Sequence, residues 1–191
     1  MKRNEAAGCG KHTFALSDKN TGKETKGMKI RKARPRDLQE LLDIYNYEVQ
    51  NGVATLDLEP KTLEERRQWF DAHNVGNHPL YVAEEEGRVA GYVSLSSYRE
   101  KEAYKSTVEL SVYIAPDYRR RGIASALMEF ILEEARRDSS IHNVVSVITS
   151  GNEASCRLHD KFGFTYCGTI PEVGEKFGRQ LSIDNYSLLM P

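Results

Sequence analysis

The segment from Ser106 to Arg137, STVELSVYIAPDYRRRGIASALMEFILEEARR, changes its hydrophobic period once, across the loop APDYRRRG. Before the loop Val108, Leu110, Val112 and Ile114 alternate with Glu109, Ser111 and Tyr113, the pattern of a strand. After it Ile123, Leu127, Ile131 and Ala135 recur on one helical face, with Ala124 and Met128 beside them. A strand that turns through a short loop into a helix leaves the first-turn amides aimed at whatever lies in front of them, and such an end attracts anions. Gly122 permits close backbone approach, Ala124 does not obstruct it, and Arg119 to Arg121 add positive charge suited to an oxygen-rich group such as a pyrophosphate. The loop lacks the Lys and Ser/Thr of GxxxxGK[ST] and the glycines of GxGxxG, which disfavours nucleotide hydrolysis and hydride transfer.

The flanking sequence alternates between the same two periods. RDLQELLDIYNYEVQ sets Leu38, Leu41, Leu42, Tyr45 and Val49 on one helical stripe, with Asp37 as candidate N-cap and Glu40 three residues on. KTLEERRQWFDAH repeats the signal, with Thr62 and Glu65 as a capping box and Leu63, Trp69 and Phe70 as apolar anchors. LYVAEEEGRVAGYVSLSSY reads as two strands around a Glu86–Gly87 turn, and Glu84 to Glu86 as its solvated end. NVVSVIT is a further strand, NEASCRLHDKF a short helix ended at Gly163, and strands around FTYCGTI and DNYSLLM close the chain. This order implies a mixed α/β sheet with helices on both faces.

At 191 residues, 39% of them apolar, the chain suits one globular domain, and a formal net charge of -1 lacks the excess expected of a dedicated nucleic-acid binder. Cys9, Cys156 and Cys167 are odd in number and widely spaced, so neither a disulfide framework nor a metal site is indicated and a reducing, cytoplasmic setting is expected. Residues 1–27 are polar and basic, and are expected to form a disordered extension ahead of a domain over residues 28–191. Their basic start is followed by no apolar core of a secretory signal, and no stretch approaches the ~18 apolar residues that span a bilayer, so no membrane association is expected.

RRRGIA resembles the R/Q-x-x-G-x-G/A pyrophosphate loop of the GNAT superfamily of acyl-CoA-dependent N-acetyltransferases. NGVATLDLEPKTLEERRQWF, YREKEAYKSTVELSVYIAPDYRRRGIASALM and GNEASCRLHDKFGF, taken in order, are similar to its phosphinothricin and methionine-sulfone acetyltransferase subfamily. The resemblance implies a GNAT-type fold, a mixed and mostly antiparallel central sheet with helices on both faces. It also implies acetyl-CoA as co-substrate, a small-molecule amine or amino-acid acceptor, no metal, and a homodimer. By similarity the backbone of Val112, Tyr113 and Ile114 would bond the pantetheine arm, and Arg120, Arg121, Gly122, Ile123, Ala124 and Ser125 would cradle the pyrophosphate. Asn152, with Ser155 one turn on, would lie near the cofactor's reactive end.

Acetyl transfer to an amine needs a base, and a carboxylate serves when partial burial raises its pKa. Glu109 faces away from Val108 and Leu110 and matches the glutamate of the subfamily's TVE strand, which makes it the candidate base. His159 follows Asn152, Ser155 and Cys156 at helical spacing, apart from the apolar stripe Ala154, Leu158 and Phe162. Three roles stay open for it: donating a proton to the departing thiolate, relaying one through Glu109, or lining the pocket. Cys156 has no base evident beside it and reads as an inert thiol.

The acceptor side departs from the subfamily. Relatives resembled here carry an aromatic residue in place of Leu56, tryptophan in place of Ser106, arginine in place of Lys101, and G-[RKN]-W-x-D where this chain has Gly178 to Ser182. Leu56, Arg99, Lys101 and Tyr104 are the candidate substrate contacts, the last three from SYREKEAYKS, whose alternating charges equally suit a solvated loop. The expected reaction is acetylation of a small amino acid or analogue of methionine sulfone, methionine sulfoximine or phosphinothricin type. The alternatives are a polyamine or peptide amino terminus as acceptor, or a non-catalytic acyl-CoA sensor.

Overall fold

The alternating segments assemble into one sheet. The structure, a computed structural model, describes Glu24, Thr25 and residues 27 to 191. Its strands are β1 (Glu24–Thr25), β2 (Met28–Lys32), β3 (Leu80–Glu85), β4 (Arg88–Ser97), β5 (Thr107–Ile114), β6 (Asn143–Thr149), β7 (Thr165–Lys176) and β8 (Arg179–Leu189), and its helices α1 (Leu38–Asn51), α2 (Leu63–Asp71), α3 (Ile123–Arg137) and α4 (Glu153–Lys161). The sheet order is β1-β2-β3-β4-β5-β6-β8-β7. Every neighbouring pair is antiparallel except β5 and β6, which run parallel with α3 between them in sequence. Among the described residues no helix is long and apolar enough to cross a membrane.

Strand periodicity divides the interior into two cores. Tyr81, Ala83, Val93, Leu95, Val108 and Leu110 pack against Ile123, Leu127 and Ile131 of α3. Leu80, Val82 and Tyr92, from the other face, pack against Leu38, Leu41 and Ile44 of α1 and Phe70 of α2. The mixed sheet with helices on both faces is therefore observed, and β5 presents Glu109, Ser111 and Tyr113 to the α1–α2 side.

Local details differ from the sequence reading where charge met a partner distant in sequence. Asp37 precedes α1 without capping it by a side-chain bond. It is buried and accepts both Arg31 Nη groups, at 2.7 and 2.8 Å. Thr62 and Glu65 do form the capping box of α2. Glu84 and Glu85 are ion-paired, to Arg31 and to Arg121, so only Glu86, with φ 50°, behaves as a turn residue beside Gly87. Of the polar extension expected over residues 1–27, Glu24 and Thr25 pair with Lys29 and Met28 at the sheet edge, and Gly27 has a left-handed φ of 81°. The rest of that expectation lies outside the described residues.

Candidate active site

The β5–β6 ladder runs from Thr107 with Asn143 to Glu109 with Val145 and then stops. Beyond it Leu110–Ile114 and Ser146–Thr149 are opposite walls of a cleft of about 730 Å³, whose other sides come from the loop before α3 and from α4. The amide of Ala115 donates to the carbonyl of Ala90, one rung past the Gly91–Ile114 pair. Antiparallel rungs alternate. The peptide groups of Tyr113 and Ser111 therefore pair with β4, whereas those of Val112 and Ile114 face the cleft. The peptide group of Tyr113, expected among the backbone contacts, thus faces β4, and its ring packs against Tyr45 and Tyr92.

The loop before α3 is built as an anion receptor. Arg120 and Gly122 both take left-handed backbone, φ 60° and 80°, with Gly122 as N-cap. The first bond closed by the helix runs from the Ala126 amide to the Gly122 carbonyl. The amides of Ile123, Ala124 and Ser125 consequently point outward, and a Cβ built at Gly122 meets no atom within 4 Å, leaving room for an incoming group. The three arginines divide their work. Arg119 pairs with the buried carboxylate of Glu48 and donates through Nε to the Ile114 carbonyl, at 3.3 Å. Arg121 is turned away, paired with Glu85 over a neighbouring crevice. Arg120 lines the cleft, exposed and without an ion-pair partner among the described residues. The Ile123 side chain is buried in the α3 core and the Ser125 hydroxyl accepts from Lys161 Nζ at 2.7 Å, so both meet a ligand through backbone.

On α4, Asn152 is the N-cap, accepting from the Ser155 amide, and both residues line the cleft. His159 is 2% exposed. Its Nδ1 lies 2.8 Å from the Ser155 carbonyl and its Nε2 2.9 Å from Ser146 Oγ. The carbonyl accepts only, so Nδ1 carries the proton and Nε2 accepts from the serine. Burial lowers its pKa from the ordinary histidine value, which keeps the ring neutral. Both ring nitrogens are thus spent on the protein.

A second cavity, of about 520 Å³, opens between the sheet and α1–α2. It shares Ala54, Ser111, Tyr113, Val147 and Thr149 with the cleft, so the two meet where the strands part. Glu109 stands in its wall, half-buried and without a hydrogen-bond or ion-pair partner among the described residues. Burial raises its pKa above the usual carboxylate value. Leu56 also lines this cavity, and a Cβ added at Gly174 of β7 would come within 3.1 Å of its Cδ1. The loop bearing Leu56 is tied down by Thr149 Oγ1 donating to the Val53 carbonyl and by buried Lys176 Nζ donating to the Thr55 carbonyl at 2.8 Å. Arg99, Lys101 and Tyr104 do not reach the cavity. They follow β4, where the Arg99 guanidinium lies over the rings of Tyr98 and Tyr104.

The profile of the Acetyltransferase (GNAT) family matches residues 38–164, from the start of α1 to the end of α4. The chain belongs to the GNAT acetyltransferase family. It is an acyl-CoA-dependent N-acetyltransferase, with acetyl-CoA as co-substrate. It is 41% identical over 155 residues, 81% of this chain and 90% of the relative, to an L-methionine sulfoximine/L-methionine sulfone acetyltransferase of Pseudomonas paraeruginosa. It is 41% identical over 165 residues, 85% of this chain and 96% of the relative, to a phosphinothricin N-acetyltransferase of Streptomyces coelicolor. Among solved structures, yncA of Salmonella typhimurium, described as a putative acetyltransferase with its cofactor acetyl-CoA, superposes with a TM-score of 0.83 at 35% identity, covering 86% of this chain and 95% of that one.

Within this GNAT site several lining residues had escaped the sequence reading. Tyr45, Arg66, Trp69, Tyr92 and Ser94 line the cavity beside α1 and α2. Tyr45 and Trp69 read as apolar anchors of their helices, a pattern that cannot separate a core aromatic from one walling a pocket. Arg66 sits inside a charged run of α2, with nothing in that run to show that it is buried.

Proposed function

We propose that the protein transfers the acetyl group of acetyl-CoA to the amino group of a small amino acid or analogue, of methionine sulfone, methionine sulfoximine or phosphinothricin type, by direct attack assisted by Glu109. The observation that carries this reading is Glu109, a carboxylate unpartnered among the described residues and with its pKa raised by burial, in a pocket that opens onto the cleft and whose other carboxylates, Asp57 and Glu65, are bonded to Tyr45 and Thr62. The names of the relatives supply the acceptor class.

The residues fit the co-substrate. The amides of Ile123, Ala124 and Ser125 with Arg120 would hold its pyrophosphate, and the peptide groups of Val112 and Ile114 its amide-bearing arm. Bound there, acetyl-CoA supplies an acetyl thioester. Glu109 takes a proton from the acceptor's ammonium group, directly or through one water, which frees the nitrogen lone pair. The cavity walls hold the acceptor amine at the junction of the two spaces, so the reaction gains from proximity. His159 fixes Ser146 and α4 against β6 and takes no proton itself, because its Nε2 faces the serine.

A homodimer is part of this proposal. β7 is the last strand of the sheet and exposes Tyr166, Ile170 and Val173, with Phe177 at the turn beyond, an apolar edge suited to a second copy. Light scattering that returns a single-chain mass would remove it. The decisive experiment is release of free CoA across a panel of amino acids, their sulfone, sulfoximine and phosphinic analogues, polyamines and peptides. Turnover concentrated on free amino acids supports the reading, and faster acetylation of polyamines or peptide amino termini replaces the acceptor class.

A further inference from the structure

Arg66 lies on the α2 side of the acceptor cavity and is only 4% exposed. Its guanidinium rests over Trp69, 3.5 Å from the ring centroid, with Tyr45 at 4.7 Å and Tyr92 at 5.2 Å. One Nη donates to Tyr92 Oη at 2.7 Å. Nε is buried and has no acceptor, and no carboxylate among the described residues pairs with the group. Every other fully buried guanidinium or ammonium among the described residues is answered: Arg31 by Asp37 and Glu84, Lys176 by two carbonyls.

A buried cation without a counter-charge is costly, and aromatic faces offset only part of that cost while accepting no N–H bond. A second orphan lies in the same wall. Ser94 Oγ is buried without a partner, on the strand that carries Tyr92 and on the same face. Arg66 and Ser94, each holding a buried unspent donor, both line a cavity whose opposite requirement, a carboxylate for an ammonium, is met by Glu109. The pocket is complementary to a zwitterion.

We infer that Arg66, supported by Ser94, holds the carboxylate of the acceptor and so sets the preference of this enzyme for amino acids over simple amines. This rests on the acetyl-transfer reading given above and assigns its specificity to a residue on α2, away from Arg99 and Lys101 of the β4–β5 connection. Methionine would fill the aromatic box without charge, and lysine would keep the charge but lose the planar fork.

The test measures kcat/KM by CoA release for the wild type, Arg66→Met and Arg66→Lys on three acceptors. These are methionine sulfone, its decarboxylated counterpart 3-(methylsulfonyl)propylamine, and norleucine, which keeps the carboxylate and lacks the sulfone. Removing one partner of a buried charged pair typically costs ~10- to 10³-fold. Arg66→Met is expected to lose about that much on methionine sulfone and norleucine alike, with the amine nearly unchanged, so that the wild-type preference for amino acids collapses. Arg66→Lys should show a smaller loss confined to the two amino acids. Equal losses on all three acceptors would make Arg66 structural, and a loss on methionine sulfone alone would mean that it reads the side-chain oxygens; either overturns the inference. Calorimetric titration of methionine sulfone and of the amine into CoA-loaded wild type and Arg66→Lys reads carboxylate recognition without turnover. If no acceptor is acetylated, the transfer reading fails by itself while this titration still decides the role of Arg66.

Discussion

Glu109 and His159 stand on opposite faces of the sheet, the carboxylate in the cavity beside α1 and α2 and the imidazole in the cleft beside α4. Their strands are neighbours in the sheet, Glu109 belonging to β5 and His159 bonding Ser146 of β6, but the two side chains lie on its opposite sides. A proton relay between the two therefore has no path through their own hydrogen bonds, and the base role proposed for Glu109 does not draw on His159.

Glu109→Gln is accordingly expected to bind acetyl-CoA as the wild type does and to lose roughly 10²- to 10⁴-fold in turnover near neutral pH, the usual worth of a positioned base. The pH profile carries the sign. A carboxylate acts as base only when ionised, and burial raises the Glu109 pKa, so wild-type kcat/KM should fall on the acid side at a higher pH than an exposed glutamate would give. That limb should vanish from the residual activity of the glutamine variant. Near-normal turnover would return Glu109 to a structural role.

Gly122→Val should weaken acetyl-CoA binding by about 10- to 100-fold, the worth of one or two charge-assisted bonds withheld from a phosphate. The new side chain meets no protein atom within 4 Å, so its cost to folding is the left-handed backbone strain, about 1–2 kcal/mol. Calorimetric titration alongside a thermal melt separates the two effects, and unchanged affinity in the folded variant would exclude the loop from phosphate binding.

His159→Ala is expected to act on stability before chemistry. It removes the short bonds to Ser146 Oγ and the Ser155 carbonyl, leaving the serine only its long 3.4 Å bond to the Leu110 carbonyl, and empties a buried site, at a cost of roughly 2–5 kcal/mol. Because the ring is neutral and both nitrogens are engaged, the wild-type rate profile should contain no limb belonging to this histidine. A limb near pH 6–7 that disappears in the variant would reinstate His159 as an acid.

Much of this was legible because it depends on spacing. The alternation of Val108 to Ile114 and the 3.6-residue repeat from Ile123 placed the two walls of the cleft, and the isolation of Glu109 from its apolar neighbours placed it on the α1–α2 side of β5. What escaped depends on contacts across long separations. Asp37 reads as a cap because capping is local, yet Arg31 across a turn and Glu84 in another strand decide its position. Arg121 reads as a phosphate ligand until Glu85 claims it. Arg99 and Lys101 carry visible charge and stay outside the cavity, while Arg66, hidden among Glu64, Glu65 and Arg67, lies inside it.

The same limit conceals His73, which gives the last prediction. His73 ends α2's face as His159 does that of α4: Nδ1 lies 2.7 Å from the carbonyl of Trp69, four residues back, and Nε2 lies 2.9 Å from Ser96 Oγ on β4. Two buried histidines thus clamp a helix to opposite faces of the sheet through a strand serine. Burial pushes the His73 pKa down to about 4, whereas in the unfolded chain it returns to its ordinary 6.5. Between those values the unfolded chain binds a proton that the folded chain refuses. The stabilisation is therefore complete above pH 6.5 and is lost as pH falls toward 4, by at most about 3 kcal/mol at the rate of 1.36 kcal/mol per unit. His159, lowered in the same direction, adds to the slope. Chemical denaturation from pH 4.5 to 7.5 should show stability rising with pH in the wild type and rising less in His73→Gln, with the two curves closest at the acid end. Parallel curves would mean that folding leaves the His73 pKa unchanged, and a wild-type curve rising less than that of His73→Gln would mean that the folded protein holds His73 as a cation.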